Sequence, residues 1–220
     1  MAHVEFFNVM NTRTRRDYVQ RVTAHDKAEC AAKAKQWGFD YWDGERQYGY
    51  GGYRYDGRWL PVAERMVRHY GLTADSRILD VGCGKAFLLY EFTRALPGIT
   101  VAGLDISAYG LQHAKEEVRP FLTLGNATAL PYPDQSFDLV LSAGTLHNLY
   151  CYDLEKAIRE IERVGRRAKL IMVESYRNER EKANLLYWQL TCESFYTPQE
   201  WQWWYERCGY TGDWDFIYFE

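Results

Sequence analysis

Residues 78–84 read ILDVGCG and place an acid two residues before a pair of glycines, at the end of an apolar run. Gly82 and Gly84 have no Cβ atom, so their backbone can lie close to a bound molecule. The carboxylate of Asp80 beside this turn attracts a cationic or hydrogen-bond-donating group and repels a pyrophosphate. The pattern therefore favours a ligand such as S-adenosylmethionine, whose amino-acid end carries an ammonium group, over a dinucleotide.

Three later segments add contact residues at the ends of further predicted strands. Asp105 lies about 20 residues after the glycine turn, the spacing at which an acid reaches ribose hydroxyls, and Ile106 beside it can cover a flat adenine. Asn126 and Ala127 offer a side-chain amide and a backbone N–H that can read the adenine edge. Ser142 ends the next predicted strand. We expect all of these residues to face one crevice.

The hydrophobic pattern from residue 59 onwards alternates between strands and helices. It predicts strands at 77–82, 100–105, 120–124, 137–142 and 168–174, and helices at 61–70, 85–96, 107–117 and 153–164. A capping box at 197–200 begins a further helix, and an alternating run at 214–220 suits an edge strand. Strands separated by helices imply an α/β fold with a doubly wound, mostly parallel sheet. Such sheets bind ligands outside the carboxyl ends of their strands.

The pattern divides the chain into an N-terminal extension with an aromatic lid at 1–58 and a main domain at 59–220. Glycines interrupt any regular element in QYGYGGYRYDGR at 47–58, which predicts a loop or lid there. Four tyrosines of this loop could close over a sulfonium, because aromatic ring faces attract cations. They are Tyr48, Tyr50, Tyr53 and Tyr55. The alternative is that they pack against the helix at 61–70.

Composition excludes several classes of protein. A net charge of −3 lacks the basic excess of a nucleic-acid binder. No apolar run approaches the roughly 18 residues that cross a bilayer, and the N-terminus lacks a signal-peptide pattern. The five cysteines show no C-x-x-C spacing, which suits reduced thiols in a cytoplasm and no metal site. We therefore expect a cytoplasmic protein that binds a small molecule.

The N-terminal residues carry a short apolar pattern of their own. Val4, Phe6 and Val9 alternate against Phe7. Such a segment suits pairing with a sheet edge or with a second subunit. The oligomeric state stays open, with a homodimer as one alternative.

The motifs together resemble the class I, Rossmann-like S-adenosylmethionine-dependent methyltransferases, in particular their small-molecule subgroup. The resemblance covers residues 59–175 and is carried by ILDVGCG (78–84), GLDIS (103–107), GNATALPYPDQSFDLVLS (125–142) and EKAIREIERV (155–164). It implies that Asp80, Gly82 and Gly84, with Cys83 between the glycines, hold the methionine moiety of the cofactor. It also implies that Asp105 holds the ribose, and Asn126 with Ala127 the adenine.

The chain departs from the family pattern at three places. Ala86 stands where a third glycine is usual, so we expect the following helix to pack slightly further away at a modest cost in cofactor affinity. Asn126 stands where aspartate is common, and its carbonyl oxygen can still accept a hydrogen bond. Residues 165–167, Gly-Arg-Arg, replace a Gly-Gly turn before the fifth strand, and we expect them to change only that turn.

Methyl transfer demands mainly alignment and exclusion of water from the protein, because the cofactor brings a reactive methyl group. An oxygen nucleophile also needs a base to remove its proton. His147, just after the fourth strand, is the best-placed candidate because histidine titrates near neutral pH. Glu174, at the end of the fifth strand, is the second. The alternatives are that His147 only hydrogen-bonds its loop or borders the cofactor, and that Glu174 caps a helix or anchors the substrate.

Arginines flank the predicted opening from two sides: Arg54 and Arg58 in the tyrosine loop, and Arg177 and Arg180 after the fifth strand. Clustered arginine suits carboxylate or phosphate groups, which leads to the hypothesis of an anionic small substrate; ordinary surface charge is the alternative. The flanks at 40–59 and 174–195 also resemble methyltransferases of bacterial surface-glycan clusters. That resemblance implies a polar, sugar-like or phosphorylated acceptor, with O-methylation favoured.

Two other functions stay open from the sequence. An NAD-dependent oxidoreductase shares the fold, although its fingerprint would place glycine at position 87, where this chain has Phe87. A non-catalytic S-adenosylmethionine-binding partner protein is favoured only by Ala86 and by the lack of an obvious base.

Overall fold

A parallel sheet of six strands forms the centre of the molecule. The computed structural model describes residues 1–7 and 16–220, and its strands lie in the order β3-β2-β1-β4-β5-β6 with every neighbouring pair parallel. The strands are Arg77–Val81 (β1), Thr100–Asp105 (β2), Leu122–Leu124 (β3), Phe137–Ala143 (β4), Gly165–Glu174 (β5) and Asp213–Ile217 (β6). The predicted doubly wound α/β fold is confirmed. The strand order reverses between β1 and β4, the position at which such sheets bind ligands.

The first three helices of the described residues belong to the N-terminal extension, and later helices pack on both faces of this sheet. In chain order the helices are Tyr18–Thr23 (α1), Lys27–Ala34 (α2), Phe39–Trp42 (α3), Leu60–Tyr70 (α4), Phe87–Ala95 (α5), Ala108–Gln112 (α6), Cys151–Val164 (α7), Glu179–Trp188 (α8) and Pro198–Cys208 (α9). Because side chains of a strand alternate between the faces, Ile78 of β1 joins the apolar cluster under α4 and α5. Its neighbour Leu79 joins the cluster under α7 and α9.

Local signals account for where several elements begin. Helix α5 begins at Phe87 because Ala86 has a left-handed backbone, φ 52°, and still belongs to the glycine turn. A 3₁₀ turn that contains Pro120 precedes β3, which is therefore shorter than predicted. The predicted capping box of Thr197 and Glu200 is present at the start of α9. Helix α6 ends at Gln112, before the predicted end at residue 117. The N–H of the next residue, His113, is shared between the carbonyls of Tyr109, Gly110 and Leu111.

The segment before β5 differs from the expectation that it forms a turn. Residues 165–167 already belong to β5, and Arg166 forms an ion pair of 2.7 Å with Asp138 of β4. The Asp138 carboxylate also accepts the N–H of Arg77 at 2.9 Å. The Asp138 carboxylate therefore links the beginnings of β1, β4 and β5, and the arginine that replaces the family's glycine is one of its two partners.

The first residues of the chain lie along the outer edge of β6. The N–H of Val4 donates to the carbonyl of Trp214 (2.9 Å), and Phe6 and Phe7 are buried. The structure thus shows the sheet-edge alternative for this segment, while Val9 lies outside the described residues.

Three properties bear on the classes of function that composition addressed. In the described part of the chain, no helix combines the length and apolar character needed to cross a membrane. The same residues contain no group of three or more His, Cys, Asp and Glu side chains placed to ligate a metal. All five cysteines are free thiols.

Candidate active site

A cavity of about 540 Å³ opens at the carboxyl ends of β1, β4 and β5. Its wall is formed by the turn after β1, the ends of β4 and β5 and the aromatic segment 41–59, and includes Asp80, Gly82, Cys83, Gly84, Gly144, His147, Glu174, Trp42, Tyr50, Tyr53, Arg54 and Arg58. The volume is within the range of small-molecule sites. We call this space the central cavity. It coincides with the point where the strand order reverses.

The glycine turn is required by contacts within the protein as well as by its backbone conformation. Gly82 and Gly84 have φ values of +83° and +54°, a region that L side chains rarely adopt. A Cβ atom on Gly82 would lie 2.0 Å from Oγ1 of Thr145, and one on Gly84 would lie 2.5 Å from Cη2 of Trp42. The sequence analysis expected these glycines to approach a ligand. The structure shows that they also make room for two side chains.

Asp80 places an unpartnered carboxylate oxygen in the wall of the central cavity. The side chain is buried, and among the described residues its Oδ1 has no hydrogen-bond partner. Burial, followed by repulsion from Asp105, raises the pKa of Asp80 to about 8. A buried acceptor without a partner costs free energy unless a ligand donates to it. Asp80 therefore fits the ammonium group of the cofactor that the resemblance implied.

The residues predicted to hold the adenosine do not line the central cavity. Asp105 is buried, and its two oxygens accept the N–H groups of Gly84 and Ser107, both at 2.7 Å. Burial raises the pKa of Asp105, and these backbone hydrogen bonds oppose the change. Ile106 is 58% exposed. Both residues lie at the carboxyl end of β2, beside the glycine turn but outside the cavity wall.

The remaining predicted cofactor residues are also separate from the cavity. Asn126 is exposed, and its Oδ1 accepts the N–H of Thr128 (3.0 Å) in a local turn. Ala127 is buried in the apolar cluster under α7. Ser142 donates its hydroxyl to the carbonyl of Val81 (2.8 Å) in the sheet interior, because it lies one residue before the end of β4. The cavity wall uses the next two residues, Ala143 and Gly144.

An aromatic segment that includes α3 covers the glycine turn on the side of Asp105. The indole of Trp42 packs on Gly84 and donates from Nε1 to Oγ of Ser107 (2.9 Å). The next residue, Asp43, accepts two hydrogen bonds of 2.7 Å from Nζ of Lys85. Burial alone would raise the pKa of Asp43, but the hydrogen bonds from Lys85 and Tyr109 outweigh it and lower that pKa. The N-terminal extension is thereby fixed to the turn.

The tyrosines of the predicted lid divide into two pairs. Tyr50 and Tyr53 line the central cavity; Tyr50 stacks on Trp42 with centroids 5.4 Å apart. Tyr48 lies outside the cavity, where it accepts a hydrogen bond from Lys33 (3.0 Å). Tyr55 is also outside and packs against Phe87 and Tyr90 of α5. The tyrosines thus contact α2, α3 and α5 rather than the helix at 61–70, apart from the hydrogen bond between Tyr53 and Trp59 just before α4.

His147 and Glu174, the two candidate bases, lie together at the ends of β4 and β5. Nε2 of His147 lies 3.5 Å from Oε2 of Glu174, and Nδ1 accepts the N–H of Glu174 at 3.4 Å. Burial lowers the pKa of His147 to about 3 and raises that of Glu174 to about 8. At neutral pH the imidazole is therefore neutral, with its proton on Nε2.

The arginines that line the cavity are only partly those that the sequence indicated. Arg54 and Arg58 line it, and Arg58 is bound by the Asp56 carboxylate (2.6 and 2.8 Å). Arg177 does not: its guanidinium binds Glu181, one helical turn along, and Glu220. This corrects the expectation that Arg177 flanks the opening. The reason is that a nearby carboxylate on α8 captures the side chain.

Three further arginines reach the cavity from distant parts of the chain. Arg16, Arg21 and Arg46 line it together with Trp188. Helix α1, which carries Arg21, packs against α8, which ends in Trp188. No local sequence signal joins these residues, because the contact brings together segments about 140 to 170 positions apart. The sequence analysis therefore missed them.

Comparison with known proteins defines the class. The profile of a family described as "Methyltransferase domain" matches residues 72–209. The chain therefore belongs to this family, and its parallel sheet and glycine turn are those of the class I S-adenosylmethionine-dependent methyltransferases. The family resemblance noted from the sequence is confirmed. The comparisons give no support to an NAD-dependent oxidoreductase.

Individual relatives match in the central part of the chain. Demethylmenaquinone methyltransferase of Tropheryma whipplei is 36% identical over 100 residues, which are 43% of this chain and 38% of that protein. Malonyl-acyl-carrier-protein O-methyltransferase of Halorhodospira halophila is 34% identical over 92 residues, 40% of this chain and 30% of that protein. The solved structure of YcgJ from Bacillus subtilis aligns over 66% of each chain with a TM-score of 0.54 and 22% identity, a likeness in fold. The chain spans less than half the length of these two curated relatives.

Proposed function

We propose that this chain is an S-adenosylmethionine-dependent methyltransferase that methylates a small polar acceptor in the central cavity. The observation that carries the proposal is that the unpartnered Asp80 oxygen, the glycine turn and the His147–Glu174 pair share one cavity wall. S-adenosylmethionine supplies a methyl group activated by a sulfonium. We propose Asp80, Gly82, Cys83 and Gly84 as the residues that hold its methionine end.

Glu174 is the base in this proposal, and His147 positions it. Nδ1 of His147 accepts a backbone N–H and its Nε2 holds the ring proton, so the imidazole has no lone pair left for a substrate. Oε2 of Glu174, in contrast, has no hydrogen-bond partner among the described residues. Because burial raises the pKa of Glu174 to about 8, the ionised carboxylate is a stronger base than an exposed glutamate and can remove a hydroxyl proton.

The acceptor proposed here is polar, anionic or sugar-like, and O-methylation is favoured. Arg54 and Arg58 in the cavity wall support an anionic group. The names of the two relatives place one acceptor on a quinone precursor and the other on an acyl-carrier protein, so the family's acceptors differ. We propose that residues 16–58 cover the site, with Tyr50 and Tyr53 beside the cofactor.

The compartment is a separate proposal: the free thiols indicate a cytoplasmic protein.

The test combines binding and transfer. Calorimetry with S-adenosylhomocysteine should give micromolar binding to the wild type and at least a tenfold loss for Asp80→Asn, because a charged hydrogen bond contributes about 1.5–3 kcal/mol. With cofactor tritiated at the methyl group, Glu174→Gln should lose most transfer into extract small molecules while it still binds S-adenosylhomocysteine. Glu64→Gln, an exposed glutamate on α4, is the matched control. Absence of S-adenosylhomocysteine binding at millimolar concentration would refute the proposal.

A further inference from the structure

Three guanidinium groups surround one indole at a side of the central cavity. The guanidinium carbons of Arg16, Arg21 and Arg46 lie 5.6, 5.3 and 5.1 Å from the ring centroid of Trp188. All four residues line the cavity. Cation–π attraction holds each cation near the ring, but it also brings three positive charges close to one another. We call these four residues the arginine–tryptophan cluster.

The positive charges of Arg21 and Arg46 lack a carboxylate partner in the described part of the cavity wall. Asp56 is bound by Arg58, while Oδ1 of Asp80 and Oε2 of Glu174 have no hydrogen-bond partner among the described residues. Within residues 1–7 and 16–220, the side-chain hydrogen bonds of Arg21 and Arg46 go to backbone carbonyls and none goes to a carboxylate. Arg21 and Arg46 are therefore a pair of positive charges that a bound anion would stabilise.

The pKa shifts of Arg21 and Arg46 are consistent with positive charges that lie close together. Burial, followed by the nearby charge of Arg46, lowers the pKa of Arg21. Burial also lowers the pKa of Arg46, and the Arg16 charge adds to that effect. Arginine stays protonated at neutral pH, so the two guanidinium groups repel each other, and a bound anion would relieve that repulsion.

Backbone carbonyls hold two of these guanidinium groups in fixed orientations. Arg21 donates to the carbonyls of Trp188 (3.4 Å) and Arg46 (2.7 Å), and Arg46 donates from Nη1 to the carbonyl of Gly49 (2.6 Å). Nη2 of Arg21, and Nε and Nη2 of Arg46, are not used in these bonds. A planar guanidinium that is already oriented loses little side-chain entropy when it binds a carboxylate or phosphate.

We propose that the arginine–tryptophan cluster binds a carboxylate or phosphate group of the methyl acceptor. The cluster adjoins the base of the proposed function, on which this inference rests: Gln189, the residue after Trp188, donates to Glu174. The acceptor is therefore a compact molecule whose anionic group lies beside the atom that is deprotonated. Arg21 and Arg46 are specificity residues, and they differ from the arginines that the sequence indicated.

The experiment measures anion binding separately from cofactor binding. Protein saturated with S-adenosylhomocysteine is titrated with inorganic phosphate and, in a second arm, with malonate, which distinguishes phosphate from carboxylate specificity. We expect the wild type to bind one of the two, and Arg46→Ala and Arg21→Ala to weaken that binding roughly tenfold or more, as for loss of charged hydrogen bonds. Arg46→Lys, which keeps the charge without the fork, should give an intermediate loss.

Two controls make the outcomes decisive. Arg177→Ala removes an arginine bound by Glu181 outside the cavity and should change anion affinity less than twofold, while Glu174→Gln should keep it. Thermal melting of each variant checks that it is folded, and Arg46→Lys replaces Arg46→Ala if the latter is not. The inference is overturned if the wild type binds neither anion. It is also overturned if Arg46→Lys and Arg21→Ala bind the anion as well as the wild type does. If the variants lose S-adenosylhomocysteine affinity instead, the cluster serves the cofactor carboxylate; the inference then fails while the proposed function stands.

Discussion

Substitution of Gly84 by alanine tests the contact between the glycine turn and the N-terminal extension. Gly84 has φ +54°, and a Cβ atom there would lie 2.5 Å from Cη2 and 3.2 Å from Cζ3 of Trp42. The left-handed backbone costs an L residue about 1 kcal/mol. Displacement of a packed indole adds about 1–3 kcal/mol. Gly84→Ala should therefore lower the free energy of unfolding by about 2–4 kcal/mol.

Gly71→Ala is the matched control for this substitution. Gly71 ends α4 with φ +57°, and no heavy atom lies within 4 Å of a Cβ built there. Its substitution therefore introduces the backbone strain alone, about 1 kcal/mol. The effect of alanine on the unfolded chain is common to both variants and cancels in their difference. Urea unfolding at pH 7 should show Gly84→Ala to be less stable than Gly71→Ala by about 1–3 kcal/mol.

A second substitution assigns that difference to Trp42. Trp42→Phe removes the outer ring atoms that a Cβ on Gly84 would meet. In the Trp42→Phe background, Gly84→Ala should cost no more than Gly71→Ala costs in the wild type, which is a coupling between neighbouring residues. The reasoning is refuted if Gly84→Ala and Gly71→Ala are equally destabilising in the wild type, or if Trp42→Phe leaves the cost of Gly84→Ala unchanged.

Three further predictions concern single side chains. Burial raises the pKa of Asp80 to about 8. The stability that depends on protonated Asp80 is therefore complete below about pH 4 and is lost as the pH rises through 8. Urea unfolding between pH 5 and 9 should show a shallower decline in the free energy of unfolding for Asp80→Asn than for the wild type. Lys85→Met removes the donor to Asp43. It should lower the free energy of unfolding by about 2 kcal/mol and speed proteolysis within residues 43–58. Lys156→Met, which removes one member of an exposed ion pair, should do neither. Thr197→Ala should cost about 1 kcal/mol in thermal unfolding and Thr197→Ser much less, because serine keeps the cap.

The parts of the fold that depend on local patterns could be predicted from the sequence. Strand β1 with its glycine turn, the amphipathic helix α7 and the capping box of α9 each follow from neighbouring residues, and the parallel sheet follows from their alternation. Asp80, His147 and Glu174 could be placed near one another because the carboxyl ends of parallel strands share an edge. The sequence could not predict that Glu174 rather than His147 is the better base, because this depends on which imidazole nitrogen accepts a backbone N–H.

The contacts of the N-terminal extension could not be predicted in the same way. That Trp42 packs on Gly84, and Arg21 on Trp188, is decided by tertiary packing between segments far apart in the chain. Arg177 shows the opposite problem: it is close in sequence to Glu174, but its i+4 neighbour Glu181 turns it away from the cavity. The glycines and tyrosines of residues 47–58 indicated a loop or lid, but not that Tyr48 contacts α2 and Tyr55 contacts α5.

The cover formed by Trp42 and Asp43 has a consequence for turnover. Asp105 is buried beside this cover, and Ser107 next to it bonds the indole. If the cofactor ribose binds Asp105, as the family resemblance implied, the indole has to move aside, which also strains the bonds between Asp43 and Lys85. Each exchange of spent for fresh cofactor then includes an opening step, and a local opening of this kind proceeds on the microsecond-to-millisecond scale. We expect product release through this opening, rather than bond making at the methyl group, to limit kcat.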